Sequence, residues 1–187
     1  MQDDIKQALE VLQKGGVILY PTDTIWGIGC DATNEEAVKR VYEIKKRADS
    51  KSMLVLMENI NLLERYMDEV PEIAYSLIEV TDKPMTIIYP GAKNLAKNLL
   101  AEDGSVGIRL TDEKFSRALI QRFRKPIVST SANISGEASP ACFAEISDDI
   151  KRSVDYVVAY RQDDTTAAKP SSIIKLGVGG EIKVIRE

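Results

Sequence analysis

The chain has 187 residues, of which 44% are hydrophobic and 29% are charged, and its formal net charge is −4. This length predicts a single domain over the whole chain, which would bury about 70% of the surface that the unfolded chain exposes. The absence of histidine from the sequence excludes histidine-based catalytic triads and histidine metal sites. The acidic balance argues against a general nucleic-acid coat but allows a local basic groove.

The two cysteines, Cys30 and Cys142, lie far apart and lack the spacing of a metal site. They favour a reduced, cytoplasmic protein. No apolar run approaches the roughly 18 residues that a membrane span requires, and the acidic, amphipathic N-terminus is unlike a signal peptide. We therefore expect no association with a membrane.

The first predicted elements have clear boundary signals in the sequence. Apolar residues at helical spacing predict a helix over 3–14, which a glycine pair ends. The apolar run 17–20 predicts a buried strand. A second helix begins at the capping signal 33–36 and ends at the cations of 45–47, which suit the C-terminus of a helix.

The rest of the chain mixes short apolar strands with amphipathic helices. Further strands are predicted at 53–57, 86–89, 106–110, 127–129, 154–159, 172–176 and 182–185. Further helices are predicted at 60–66, 72–80 and 113–123. Because several consecutive strands lack an intervening helix, the pattern predicts an α/β (α+β mixed) fold with a mixed sheet flanked by helices. The stretch 161–170 is predicted to be a flexible loop.

Polar residues gather at strand ends in five places, and strand ends are where α/β folds place their sites. The stretch PTDTIWGIG at 21–29 has glycines that would let a ligand approach the backbone, but it also suits a simple turn in which Asp23 bonds its own backbone. The cations Lys45, Lys46 and Arg47, with Lys51 beyond them, suit a polyphosphate. A run of cations at a helix end is, however, more often a solvated surface.

The other three polar stretches lie later in the chain. SVGIRL at 105–110 places Arg109 inside an apolar strand, where it needs either a structural ion pair or a ligand carboxylate. PIVSTSANISGEASP at 126–140 has more hydroxyl and amide groups than a turn requires, and KPSS at 169–172 places hydroxyls before a strand. The sequence has neither a Walker A loop nor a GxGxxG motif, so a nucleotide would have to be held by side chains and small loops.

Five motifs, in this order, resemble the threonylcarbamoyl-AMP synthase family (the YrdC/TsaC group). They are PTDTIWGIGCDA at 21–32, KKR at 45–47, SVGIRL at 105–110, STSANISG at 129–136 and KPSSII at 169–174. The motifs are spread over nearly the whole chain. The resemblance implies a short, single-domain member whose YrdC-like fold is a twisted, open mixed sheet with a positively charged concave cavity.

The resemblance also implies an enzyme, a nucleotidyltransferase, that joins L-threonine, bicarbonate or CO₂, and ATP. The products would be threonylcarbamoyl-AMP and pyrophosphate. A tRNA threonylcarbamoyl-transferase complex would then use the adenylate to make N6-threonylcarbamoyladenosine at position 37 of ANN-decoding tRNAs. Mg²⁺ would accompany ATP, carried by its phosphates without a direct protein ligand. No protein nucleophile is needed, because positioning and charge neutralisation supply the catalysis.

The same resemblance assigns the candidate site residues. The threonine site would consist of Thr24, Arg109, Ser129 and Ser172. ATP and its phosphates would contact Lys45, Arg47, Lys51, Ser105, Ser131, Asn133, Ser139 and Arg186. Within this set, the family's KxR and SxN motifs, met by Lys45/Arg47 and Ser131/Asn133, would form the catalytic group.

The chain departs from the family pattern in the loop after the second helix. Ala48 and Ser52 stand where prolines are usual, which would loosen the loop, and Trp26 replaces a commoner tyrosine. The alternative to the synthase is a YciO-like paralogue, or a double-stranded-RNA-binding or ribosome-associated module, on the same fold. The complete KxR/SxN pair favours the synthase, and the net charge disfavours the RNA module, although a weak contact with tRNA stays open.

Overall fold

A mixed sheet organises the fold in the computed structural model, which describes residues 1–46, 53–166 and 169–187. The strands are β1 (Ile18–Tyr20), β2 (Gly27–Gly29), β3 (Leu54–Met57), β4 (Met85–Tyr89), β5 (Val106–Leu110), β6 (Ile127–Ser131), β7 (Tyr156–Val157), β8 (Ser172–Leu176) and β9 (Ile182–Arg186). Within the described residues they form one sheet in the order β7-β1-β2-β6-β3-β5-β4-β8-β9. Parallel and antiparallel neighbours alternate irregularly, which confirms the predicted mixed α/β fold.

The helices are short, and several have recognisable caps. They are α1 (Gln2–Gln13), α2 (Glu35–Lys45), α3 (Leu63–Tyr66), α4 (Glu72–Val80), α5 (Lys114–Phe123) and α6 (Asp148–Ser153), with 3₁₀ turns at Ile60–Leu62, Lys97–Leu99 and Phe143–Glu145. The Asn34 side chain caps α2 by accepting from the N–H of Ala37 at 3.1 Å. Lys46, at the end of α2, has a φ of 48° and directs the chain away. None of the helices within the described residues is long and apolar enough to cross a bilayer.

The most informative difference from the sequence prediction is β2. Gly-Ile-Gly was expected to belong to a loop, because glycine has a low preference for strands. The structure places it between β1 and β6, antiparallel to both. A Cβ atom at Gly29 would lie 2.5 Å from the Val128 carbonyl oxygen and 2.6 Å from Cε1 of Tyr20, so only glycine lets these strands approach.

Other elements follow the prediction with shifted ends. The helix at 72–80 and the strands at 106–110 and 172–176 have the predicted bounds. Strand β6 continues two residues beyond the predicted end at 129, whereas only two residues of the stretch 154–159 are a strand. The sequence prediction missed α6, a helix of six residues, because so short a segment has little periodicity.

Part of the predicted loop at 161–170 is held by its first residue. Arg161 Nη1 donates to the Thr22 carbonyl oxygen at 3.1 Å and lies 3.5 Å from Oε1 of Glu113. Its Nη2 lies 2.9 Å from Oδ2 of Asp164. These contacts attach the loop to the β1–β2 connection and to the start of α5. Residues 167–168 lie outside the described part of the chain.

Candidate active site

A cavity of about 280 Å³ lies on one face of the sheet. Residues two apart on a strand project from the same face, and the cavity receives alternate residues from several neighbouring strands. They are Thr86 and Ile88 of β4, Gly107 and Arg109 of β5, Ser129 and Ser131 of β6, Ile173 of β8 and Arg186 of β9. Thr24, Trp26 and Ser139 line it from the connecting segments. The chain therefore brings polar residues that are distant in sequence to one surface.

Arg109 is a buried cation of this cavity, with 3% of its surface exposed. Its Nε donates to Oδ1 of Asp23 at 3.1 Å, and its Nη2 lies 2.9 Å from the same oxygen. Nη2 also donates to the Thr24 hydroxyl at 3.2 Å. The structural ion pair that the sequence left open is therefore present, and the Asp23 side chain bonds Arg109 across the fold.

The Asp23 carboxyl is largely buried, with 14% of its side chain exposed. Burial raises the pKa of Asp23, and the charge and hydrogen bonds of Arg109 oppose this rise. A buried carboxyl and a buried guanidinium each offset the cost of desolvating the other. Removing either one would leave an uncompensated charge or acceptor beneath the cavity.

Ser171 connects the two arginines of the cavity. Its hydroxyl accepts from Nη1 of Arg109 at 3.4 Å and lies 2.8 Å from the hydroxyl of Thr86. Its carbonyl oxygen accepts from Nε and Nη2 of Arg186 at 2.9 and 2.6 Å. The residue immediately before β8 thus fixes the position of both guanidinium groups.

The KxR and SxN segments meet at the side chain of Lys45. This lysine is 1% exposed, and its Nζ donates to the carbonyl oxygens of Ser131 and Asn133 at 2.5 and 2.8 Å. It also lies 3.4 Å from Oδ1 of Asn133, whose Nδ2 donates to the Glu137 carbonyl oxygen at 2.8 Å. Lys45 is therefore not part of a solvated helix end, because it supports the loop that follows β6.

Comparison of the sequence with known proteins identifies the family of this chain. Residues 10–187 match the model of the Sua5, YciO and YrdC family, whose description is telomere recombination. The chain belongs to this family. It is 34% identical over 160 residues to the threonylcarbamoyl-AMP synthase of Pseudoalteromonas translucida, a match that covers 84% of this chain and 86% of that protein. The family resemblance given by the five motifs is therefore confirmed.

Solved structures of the family share the fold. E. coli YciO is 28% identical and superposes with a TM-score of 0.86, covering 100% of this chain and 90% of YciO. The P. abyssi Sua5 complexed with L-threonine is 24% identical and superposes with a TM-score of 0.80, covering 92% of this chain. This chain spans 50% of the length of that Sua5, so the Sua5 comparison concerns the shared fold.

Six of the residues assigned by family resemblance line the cavity. They are Thr24, Arg109, Ser129, Ser131, Ser139 and Arg186. Lys45 and Asn133 lie behind its wall, in the support just described. Arg47 and Lys51, and with them the departures at Ala48 and Ser52, lie outside the described residues. The ligand roles of all these residues stay predictions.

Ser105 and Ser172 do not line the cavity. The Ser105 hydroxyl donates to Oδ1 of Asp103 at 2.5 Å, before β5 begins. Ser172 is the first residue of β8 and pairs with Met85, so it projects from the face opposite Ile173 and the cavity. Ser171 lies two residues before Ile173, so the side chains of both project from the face that lines the cavity. The sequence alone does not show this, because it depends on the pairing of β8 with β4.

The sequence reasoning also missed Thr86 and left Asp23 open. Thr86 carries a buried aliphatic hydroxyl in the strand MTIIY, and a buried hydroxyl in an apolar strand requires a partner. That partner is Ser171, which is 85 residues away in the sequence. No local pattern could have identified the pair.

The charge of the cavity follows from its two arginines. Among the described residues that line it, Arg109 and Arg186 are the charged ones, and none is acidic. Burial and the nearby charge of Arg109 lower the pKa of Arg186. Asp23 neutralises Arg109 from behind, so Arg186 contributes the less compensated positive charge. The net positive charge of the whole cavity stays a prediction.

Trp26 closes one side of the cavity with a flat ring. It is 6% exposed, and its ring centroid lies 4.8 Å from that of Phe143 at an interplanar angle of 52°. Lys151 Nζ lies 4.7 Å from the centroid of the Phe143 ring. The replacement of the family's commoner tyrosine thus retains an aromatic wall, which is fixed by packing against a second ring.

Proposed function

We propose that the chain is an L-threonylcarbamoyladenylate synthase, which converts L-threonine, bicarbonate or CO₂, and ATP into threonylcarbamoyl-AMP and pyrophosphate. The observation that carries the proposal is a cavity in which Arg109, Arg186 and several serine and threonine hydroxyls converge. It occurs in a chain whose curated relatives, 31–36% identical, are named threonylcarbamoyl-AMP synthase. The geometry suits an amino-acid carboxylate beside a nucleotide.

The threonine site lies around Arg109. One N–H of its Nη1 has no partner among the described residues, since the contacts of the guanidinium there are with Asp23, Thr24 and Ser171. A substrate carboxylate would bind this N–H in a charge-assisted hydrogen bond. Hydroxyls of Thr24 and Ser129 line the same space and would bond the polar groups of the amino acid.

The nucleotide site lies toward Ser131, Ser139 and Arg186. Arg186 reaches the cavity from β9, and Ser131 from the end of β6. A planar guanidinium suits phosphate oxygens because it donates two parallel hydrogen bonds. We assign Lys45 and Asn133 a supporting part and include Arg47, Lys51 and Ser105 as further candidates for phosphate binding.

Catalysis would depend on position and charge. The amine of threonine and bicarbonate form a carbamate and water, and a carbamate oxygen then attacks the α-phosphorus of ATP. A phosphorus–oxygen bond forms as the bond to pyrophosphate breaks, so no protein nucleophile is consumed. The protein's task is to hold carboxylate, carbamate and triphosphate in line and to neutralise the negative charge that accumulates.

Mg²⁺ would enter with ATP. Mg²⁺ commonly keeps several waters and is held by substrate phosphates with few protein ligands. Among the described residues, no group of three or more His, Cys, Asp or Glu side chains could hold a metal ion, and the acid-free lining suits an ion that arrives on the triphosphate. Bound there, it would neutralise charge on the leaving pyrophosphate.

The product would be passed to a transferase complex that modifies tRNA. The mixed anhydride of threonylcarbamoyl-AMP is readily hydrolysed, so a short path to the next enzyme would favour its use. A cytoplasmic location fits this task and the two free thiols, Cys30 and Cys142.

The test is pyrophosphate release with ATP, Mg²⁺ and bicarbonate in the presence of a panel of amino acids. Threonine should give the highest rate. Serine should be the hardest competitor, because losing one methyl group costs only about 1–3 kcal/mol. Equal release with threonine, serine and alanine would refute the proposal.

The alternative of an RNA-binding or YciO-like protein is not favoured. The similarity to E. coli YciO concerns the fold and sequence, whereas the curated relatives with higher identity carry the synthase name. The formal net charge of −4 also gives a general RNA-binding surface little support.

A further inference from the structure

Asp23 lies between two cavities on opposite faces of the sheet. Its partner Arg109 lines the active-site cavity, whereas Asp23 itself lines a second cavity of about 220 Å³. Ile87 and Ile108, which also line the second cavity, alternate along their strands with residues that line the first. Asp23 therefore borders a space on the side opposite the proposed substrate.

The contacts of Arg109 determine which of its N–H groups face a ligand. Nε and Nη2, the edge that could bind a carboxylate with two parallel bonds, both contact Oδ1 of Asp23. Nη2 also contacts Thr24, and among the described residues Nη1 has the 3.4 Å bond to Ser171 alone. Asp23 thus occupies one edge of the guanidinium and leaves the Nη1 end for the cavity.

A long side chain such as that of arginine loses considerable rotamer entropy when it is fixed. Without Asp23, the hydrogen bonds to the hydroxyls of Thr24 and Ser171 would be the remaining contacts among the described residues that offset the free energy of desolvating the guanidinium. It would then be free to rotate toward solvent or toward the second cavity. A carboxylate ligand would have to bring it back, and this would weaken binding.

We propose that Asp23 is a positioning residue that holds Arg109 so that its Nη1 end faces the substrate carboxylate. The proposal rests on the proposed function. It predicts that Asp23 sets the affinity for threonine without touching threonine, and that it has little effect on ATP.

The experiment compares Asp23→Asn and Asp23→Ala with the wild-type enzyme in the pyrophosphate assay. Asp23→Asn keeps the volume and removes the charge, and it should raise the KM for threonine about 10-fold or more, because the lost bonds are charge-assisted. The KM for ATP should change less than about twofold. The matched control is Asp112→Ala. Asp112 also lines the second cavity, but its carboxylate bonds Arg117 and not Arg109, so this substitution should leave both KM values unchanged.

Chemical rescue separates positioning from general support of the fold. Formate is small enough to enter the second cavity and occupy the space vacated in Asp23→Ala. It should lower the raised KM for threonine, whereas chloride at the same ionic strength should not. If Asp23→Ala does not fold, the Asp23→Asn result decides. An unchanged KM in Asp23→Asn, an equal rise in both KM values, or a lack of response of folded Asp23→Ala to formate would overturn the proposal.

A substrate-free measurement distinguishes this proposal from the proposed function. The Nε–Hε NMR resonance of Arg109, identified by its loss in Arg109→Lys, should shift and exchange faster with water in Asp23→Asn. A wild-type protein that is inactive with threonine but shows this change would refute the function and retain the positioning. An active wild type whose resonance and threonine KM are both unaffected by Asp23→Asn would refute the positioning alone.

Discussion

The Nζ atom of Lys45 lies 2.5 Å from the carbonyl oxygen of Ser131. This contact joins the last residue of α2 to the last residue of β6, and the backbone N–H of Ser135 returns a bond to the Lys45 carbonyl oxygen at 2.8 Å. Lys45 of the KxR motif and the loop of the SxN motif are therefore one structural unit. A buried ammonium group holds the loop from which the Ser131 side chain reaches the cavity.

Lys45→Met should destabilise the protein by about 3 kcal/mol, because it removes the buried ammonium group that donates to the carbonyl oxygens of Ser131 and Asn133. Urea denaturation would show a lower midpoint with an unchanged slope. The neighbouring exposed residue supplies the control: Lys46→Met should change stability by less than about 0.5 kcal/mol. Equal effects of the two substitutions would contradict the supporting role of Lys45.

Arg109→Lys tests the carboxylate site. Lysine keeps the positive charge but cannot bond Asp23, Thr24 and Ser171 together, since those bonds use three different nitrogen atoms of the guanidinium. We expect the KM for threonine to rise about 10- to 100-fold, in line with the loss of charge-assisted bonds. The KM for ATP, measured with the same pyrophosphate assay, should change little. A parallel rise of both constants would show that Arg109 does not act on the amino acid.

Ser172, the first residue of β8, and Ser171, which precedes it, provide a test of the sheet geometry. Ser171→Ala removes the partner of Thr86 and one contact of Arg109, and kcat/KM for threonine should fall about 10-fold, the effect of one such hydrogen bond. Ser172→Ala changes the opposite face and should stay within about twofold of wild type. The reverse pattern would favour the role that family resemblance gave to Ser172.

This pair also shows where sequence reasoning reached its limit. The resemblance selected the stretch KPSS correctly as part of the site region, but side chains of neighbouring strand residues point in opposite directions. Which of the two serines faces the cavity depends on the register of β8 against β4. That register is fixed by contacts between residues about 85 positions apart in the sequence, which no local motif records.

The pattern of apolar residues in the sequence was sufficient to predict most helices and strands. It was also sufficient to predict that Arg109 is buried. A cation inside SVGIRL predicted a buried partner, and the partner is present. It could not predict Asp23 as that partner, because the β1–β2 connection reaches β5 only through the order of the sheet. It also gave no indication that Lys45 turns inward, since a helix that ends in three cations usually directs them to solvent.

Alanine substitutions at Gly29 and Gly27 should have different effects, because Gly29 lies between packed strands and Gly27 lies at the cavity wall. Gly29→Ala would force a Cβ atom to within 2.5 Å of the Val128 carbonyl oxygen, and we expect a loss of stability of about 2 kcal/mol or more, as for other overpacked cores. Gly27→Ala places its Cβ 3.1 Å from the Ser129 hydroxyl at the cavity wall. That variant should lose activity at a smaller cost in stability. Urea midpoints and pyrophosphate release, measured on both variants, would contradict this if Gly29→Ala were as stable as wild type.

The link between Asp103 and Lys175 should make part of the stability depend on pH. Hydrogen bonds from Lys175, and then from Ser105, lower the pKa of Asp103 to about 2 from its ordinary value of 3.8. Since the folded state holds the carboxylate more tightly than the unfolded state does, this contribution is complete above pH 4 and is lost as the pH falls toward 2. With 53% of the Asp103 side chain exposed, solvent screening limits this contribution to stability to about 0.5–1 kcal/mol.

Asp103→Asn should therefore be less stable than wild type at pH 6, and the difference in urea midpoint should shrink at pH 3. Ser105→Ala, which removes one of the donors, should give a smaller difference with the same dependence on pH. A difference that grew on acidification would mean that the protonated carboxyl is the stabilising form, and this would contradict the assignment.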